Sequence, residues 1–319
     1  MQHRKPLSWA LTACLGWALA FGAAGNARAD EGEAPSFAKK VQPYIACINS
    51  LAGRALQSRS RYLSWADKSG PTGRERIVYG LYTLSDPAEC YRSIQAANRM
   101  EPHDAALEEA GSAFINSLTD LTPLVKEASD YYEQGDYKDD RMARGKEFHP
   151  RLMAAWDGFM AANARLRDAV ERINDRVQIE ALTRIERTEG QKTDYFILAM
   201  MIKAKALLQA ESAGEGSGFD TGRATQALDG FESSIKDLEA YGAAHPQEKA
   251  GSIFLSAARS FLKTGKELMR RVRDKTPYSA GEKMNLSNSL SAWMVEGSPA
   301  SLTHNYNQLV QRFNSGPRI

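Results

Sequence analysis

Between Tyr131 and Asp140 the chain concentrates oxygen-bearing side chains: Tyr131, Tyr132 and Tyr137 stand among Glu133, Asp136, Asp139 and Asp140. Carboxylates gathered this closely offer the hard oxygen donors that a cation such as calcium takes in numbers. Their spacing departs from the Asp-x-Asp-x-Asp-Gly pattern of a calcium loop, and a structural reading competes: the tyrosines pack the loop while Asp139 or Asp140 caps the next helix. His149 follows, just before Pro150, where a bend frees a backbone carbonyl for its ring N–H. Trp156, Phe159 and Met160 come next at a helical spacing that suits either a core or an apolar pocket. Tyr131, Tyr132, Asp136, Tyr137, Asp139, Asp140, His149 and Trp156 are thus the candidates for a ligand or cation site.

Other chemistry is scarce. His103, His245 and His304 form neither His-x-x-x-His nor His-Glu-x-x-His, so no metal site and no cofactor is expected. No Gly-x-Ser-x-Gly marks a nucleophile, and no catalytic residue is assigned. Gly214-Glu215-Gly216-Ser217-Gly218 lacks the phosphate-loop lysine and follows a helix, so it reads as a linker. Arg270, Arg271, Arg273 and Lys275 gather at a predicted helix end, where they complement the helix dipole or face an anionic surface.

Arg4 and Lys5 precede an uncharged run from Leu7 to Ala24, and Asn26-Ala27-Arg28-Ala29 supplies a small-x-small cleavage pattern. This is an export signal over residues 1–29, cut after Ala29, and it places the chain in the periplasm. Leu11-Thr12-Ala13-Cys14 offers the alternative of a lipoprotein anchored through Cys14. Cleavage removes Arg4, Lys5 and Arg28 and no acid, so the formal net charge of +2 becomes −1 and no basic excess argues for nucleic acid. It also leaves two cysteines, Cys47 and Cys90, which an oxidising compartment pairs as a disulfide, with two buried thiols as the alternative. No transmembrane helix is expected in the mature chain.

The elements that must carry these residues read as helices, since Ala, Leu, Glu, Lys, Arg and Gln dominate and strand-like alternation is rare. After a short disordered stretch at 30–36, apolar positions from Phe37 to Leu63 make one long helix that ends before Ser69-Gly70-Pro71-Thr72-Gly73. Ser85-Asp86-Pro87 opens a helix carrying Cys90, and another runs from near Pro102 towards Tyr132. A very long one follows Asp139 or Asp140 and reaches Ile185. Further helices are predicted over Tyr195 to Leu208 and at about 222–242, 247–273, 280–296 and 299–314. The fold expected is all-α: an elongated multi-helix bundle in a single helical domain, 37–316, with a flexible linker near 213–221.

Tyr44-Ile45-Ala46-Cys47-Ile48-Asn49, the stretch Tyr131 to Asp140, Gly145-Lys146-Glu147-Phe148-His149-Pro150 and Tyr306-Asn307-Gln308-Leu309-Val310 together resemble the YiiG-like proteins. These are bacterial exported proteins and lipoproteins with a helical domain of unknown function. The resemblance covers about residues 38–315. It implies an extracytoplasmic place and a helical fold, and it brings no catalytic residues. The reading that results is a non-enzymatic envelope protein that binds or scaffolds an unknown protein or envelope partner. A small-ligand or cation binder with a site near 131–156 is the alternative, and an unrecognised hydrolase of envelope material a further one.

Intact mass of the protein recovered from its native host should correspond to a chain starting at Asp30. A fatty-acyl mass on Cys14 would instead establish the anchored form. Titration of the unfolded, unreduced chain should find no free thiol, and two free thiols would refute the pairing of Cys47 with Cys90.

Overall fold

Phe37, Val41, Tyr44, Ile45 and Ile48 recur at three- and four-residue steps, and the chain answers with helix from its first described residue. The computed structural model describes residues 37–212, 219–248, 252–288 and 290–315. Among them the fold is helical, with no strand beyond an isolated bridge between Asp67 and Gly70. The expected export signal with Ala29 and Cys14, the stretch 30–36 and the glycine-rich run 213–218 lie outside the described residues. Among the described residues no helix is long and apolar enough to cross a membrane.

Backbone packing divides the described chain into two units, one ending at Val177 and one beginning at Gln178. In the first, α1 (Phe37–Cys47) passes through a π turn (Ile48–Ala52) into α2 (Gly53–Leu63). A long irregular segment leads to α3 (Ala88–Asn98), then α4 (Ala105–Gln134) and α5 (Ala143–Thr188), whose last turns, from Gln178, belong to the second unit. The disulfide Cys47–Cys90 joins the end of α1 to α3, with Cα atoms 5.6 Å apart. Closing a loop of this length stabilises the fold by about 4 kcal/mol in the chain-entropy picture. The α4 helix begins at Ala105 rather than near Pro102 because Asp104 caps it, its carboxylate accepting the Leu107 N–H at 2.9 Å. Close helix approach rests on Gly111, where any Cβ would lie 2.4 Å from the Tyr44 ring.

The second unit packs α6 (Thr193–Ser212), α7 (Thr221–Ala244), α8 (Ser252–Arg273) and α10 (Pro299–Ser315) around Met200, Met201, Leu207, Phe231, Phe261 and Leu309. Phe261 is the pivot, its ring 5.3 Å from Phe231 and 5.6 Å from Tyr306. Gly190, at φ +83°, lets the chain turn before α6. The helix expected over 280–296 is corrected: only α9 (Ala280–Leu286) forms there, closed by a Ser279/Glu282 capping box, with a separate 3₁₀ turn at Ala292–Met294. Ser287 and Asn288 turn the chain instead, the Asn288 side chain accepting the Leu290 N–H. The helix expected over 247–273 begins only at Ser252, after a 3₁₀ turn at Pro246–Glu248.

On α6, Glu211 is buried, one carboxylate oxygen 3.4 Å from where a Cβ on Gly265 would stand, and neither oxygen has a hydrogen-bond partner among the described residues. Burial alone pushes its pKa from 4.5 up to about 8. Between those values the unfolded chain binds fewer protons than the folded one, so stability falls as pH rises through this window. The wild type should lose roughly 3–5 kcal/mol relative to Glu211→Gln between the two limits. Chemical denaturation of both proteins across the window tests this, and parallel pH profiles would exclude it.

Candidate functional site

The candidate residues are brought together by a helical hairpin. The α4 helix ends at Gln134 because Gly135 takes the left-handed conformation, at φ 84°. A 3₁₀ turn, Asp136–Lys138, follows, and Arg141 and Met142 both take positive φ before α5 begins. Asp140 stitches this turn together. One of its carboxylate oxygens accepts the Tyr131 hydroxyl at 2.7 Å and the other the Arg144 N–H at 3.0 Å. The Tyr131 hydroxyl and the helix-start N–H groups hold the Asp140 carboxyl below its ordinary pKa. Both oxygens are therefore occupied by the fold. Asp139 is exposed, and Asp136 and Tyr137 are half-buried.

His149 is buried one turn further along α5, and its ring bonds neither a carbonyl of its own helix nor open solvent. Its Nε2 lies 3.1 Å from the Lys68 carbonyl, which only accepts, so Nε2 carries the proton. Nδ1 is then the acceptor for the Tyr62 hydroxyl, 2.8 Å away. The partner carbonyl thus comes from the segment after α2 and not from the bend at Pro150. Around Tyr62 gather Trp65, Tyr132, His149 and Trp156, with ring centroids 5.2 to 6.1 Å from its own. Tyr132 further meets Tyr131, Tyr137 and Phe148. Burial raises the Tyr62 hydroxyl to about 12 and drives that of Tyr132 still higher, so both remain protonated donors.

The residue that permits this packing is Gly145. A Cβ there would fall 2.8 Å from the Tyr132 hydroxyl and 3.3 Å from the Tyr131 ring. The sequence stretches 131–140 and 145–150 are therefore two sides of one interior, and His149 and Trp156 are enclosed within it. A hollow of about 410 Å³ does open beside the hairpin, lined by Lys126, Glu127, Asp130, Tyr131, Asp136 and Arg144 among others. It takes in Tyr131 and Asp136 of the candidates, but neither His149 nor Trp156 lines it. Two of its three carboxylates are paired, Asp130 with Lys126 at 2.6 Å and Glu127 with Arg144 at 3.0 Å, and Asp136 is the third. Among the described residues no group of three or more His, Cys, Asp or Glu side chains is placed to hold a metal ion.

A second polar cluster was not singled out from the sequence. Lys40 is fully buried, and its ammonium donates to the Glu108 carboxylate and to the Met100 carbonyl. Burial opposes the charge on Glu108, but hydrogen bonds from Lys40 and His103 outweigh it and hold that carboxyl low. Beside it Asp104 receives Arg172 through both oxygens, at 3.0 and 3.1 Å, and Arg176 at 3.5 Å. One signal did exist in the sequence. Lys40 precedes Tyr44 by four residues and follows Phe37 by three, which puts a lysine on the apolar face of α1.

A family model described as "Protein of unknown function (DUF3829)" matches residues 35–315. The "Uncharacterized protein YiiG" of Escherichia coli (strain K12) is 32% identical to this chain over 285 residues, covering 88% of this chain and 79% of that protein. No solved structure matches.

Two substitutions probe the hairpin interior. Tyr62→Phe should leave His149 Nδ1 buried without its donor and cost about 1–3 kcal/mol. Gly145→Ala should be at least as damaging, because the new methyl meets the Tyr132 hydroxyl. Urea unfolding measures both, and wild-type midpoints would refute the packing role assigned to these residues.

Proposed function

This chain belongs to the DUF3829 family, and from that membership and the packing above we propose an exported, non-enzymatic helical protein of the cell envelope that works by presenting its helical faces to a partner. One observation carries the reading. The side chains best suited to chemistry, His149, Trp156, Tyr131 and Tyr132, are buried together inside the hairpin, and the polar atoms of His149, Tyr131 and Asp140 are turned to partners within the fold. A general acid or base must reach a substrate proton within hydrogen-bond distance. A buried imidazole held at both nitrogens by Tyr62 and Lys68 is poorly placed for that. The Cys47–Cys90 disulfide supports an oxidising compartment, in keeping with the export signal read from residues 1–29.

The hollow beside the hairpin does not favour a cation binder, because an ammonium and a guanidinium already neutralise two of its carboxylates. Calcium should accordingly leave the melting temperature unchanged. A rise abolished by Asp136→Ala would reverse this and establish the binding site. The partner reading is tested with photo-crosslinking side chains at Ala161 and Asp168, both exposed on α5, in living cells. A discrete protein adduct formed by the full chain and lost in a leader-deleted chain is expected. No adduct from any exposed helical face, or the same adducts without the leader, would overturn the proposal.

A further inference from the structure

Exposed large apolar side chains are scattered over the described surface except at one place. Met284 on α9, and Leu290, Trp293 and Met294 in and just before the 3₁₀ turn that follows, stand at 70%, 82%, 41% and 61% exposure within one short stretch of chain. Solvated singly, such side chains need no explanation, but four together are an unfavourable surface to maintain. This segment nevertheless holds them outward by specific bonds. The Trp293 indole N–H donates to the Leu290 carbonyl at 3.0 Å, and its ring stacks on His304 with centroids 4.4 Å apart. The Ser291 hydroxyl donates to the Asn285 carbonyl, and the Asn288 side chain accepts the Leu290 N–H. The 3₁₀ turn at Ala292–Met294 packs on α9, which sets the stretch carrying Trp293 and Met294 against the helix carrying Met284.

The same surface is basic. From Arg270 to Met294 the chain carries Arg270, Arg271, Arg273, Lys275 and Lys283 against Asp274 and Glu282 alone. Arg273 pairs with Asp274 and Arg271 with Glu282, which leaves a positive excess on the end of α8 and on α9. The α8 end is continuous with the apolar segment: Arg271 stacks over Tyr278, whose hydroxyl donates to the Gly297 carbonyl. Just beyond the segment, Glu296 faces Glu267, which Lys263 pairs at 3.3 Å.

We propose that Met284, Leu290, Trp293 and Met294 form an insertion tip for an anionic lipid surface, with Lys275, Lys283 and Arg270 set to meet the headgroups. Side chains this exposed project from a turn instead of lining a groove. A short apolar tip with an indole at its base and cations around it is the chemistry that settles at the headgroup–acyl boundary. The proposal deepens the envelope reading by naming a surface for this protein. It is tested on purified mature protein, so its failure leaves export, which intact mass decides, untouched.

Flotation with vesicles of phosphatidylglycerol in phosphatidylcholine, against phosphatidylcholine alone, provides the test. The protein should float with the anionic vesicles, and added salt should weaken the association. The double variant Leu290→Ser/Met294→Ser should bind at least about tenfold more weakly, and Lys275→Glu/Lys283→Glu should lose the preference for anionic lipid. These positions are exposed, so unchanged melting curves will verify that the variants fold. Absence of flotation at low salt, or equal flotation of the serine variant, would overturn the proposal. So would a wild-type dimer that fails to float and that the serine substitutions turn into a monomer, since the patch would then serve self-association.

Discussion

A buried hydrogen bond from the Tyr62 hydroxyl to His149 Nδ1 organises the first unit, because each partner is fixed by what surrounds it. Tyr62 belongs to α2, His149 to α5, and the Lys68 carbonyl that takes the other ring nitrogen belongs to the segment between. A histidine so enclosed has one workable tautomer, and that tautomer dictates which group donates and which accepts. The rings of Trp65, Tyr132 and Trp156 then fill the space around the pair, so three separate stretches of chain must arrive in one arrangement. The Trp65 and Trp156 indole N–H groups and the Tyr132 hydroxyl have no hydrogen-bond partner among the described residues. Aromatic burial has to outweigh that penalty.

The charges of this unit follow the same logic. Lys40 would be costly in the interior by itself, and its pairing with Glu108, which in turn engages His103, makes it tolerable. Asp104 serves twice, as the cap of α4 and as the acceptor of Arg172 and Arg176. In the second unit Glu211 is the contrasting case: with no cation to compensate it, burial keeps the proton on the carboxyl. Two carboxyls thus shift in opposite directions: hydrogen bonds from Lys40 and His103 hold Glu108 low, while burial without a partner pushes Glu211 up.

Much of the helical outline was legible along the chain. The apolar steps from Phe37, the break at Gly190 and the long helix through Trp156 and Ile173 all follow from periodicity and from residues that favour or stop helices. The resemblance to the YiiG-like proteins is borne out over residues 35–315. The segment 280–296, expected as one helix, is helical only over Ala280–Leu286, with a 3₁₀ turn at Ala292–Met294. Local side-chain bonds from Asn288 and Ser291 divert the backbone there, and a propensity count does not register them.

The amino-acid sequence by itself determined the helical class and the residues worth suspecting, and it made Cys47 and Cys90 the expected pair. These depend on local propensity, on spacing and on a small set of cysteines. What those suspects do was decided by tertiary structure. Whether Asp140 offers its oxygens to a ligand or to Tyr131 and Arg144 depends on where α4 and α5 meet, and that depends on Gly145 admitting the Tyr132 ring. Whether Lys40 faces water or Glu108 likewise turns on a residue 68 positions away. Contacts between distant residues are fixed by the fold as a whole, and no local pattern encodes them.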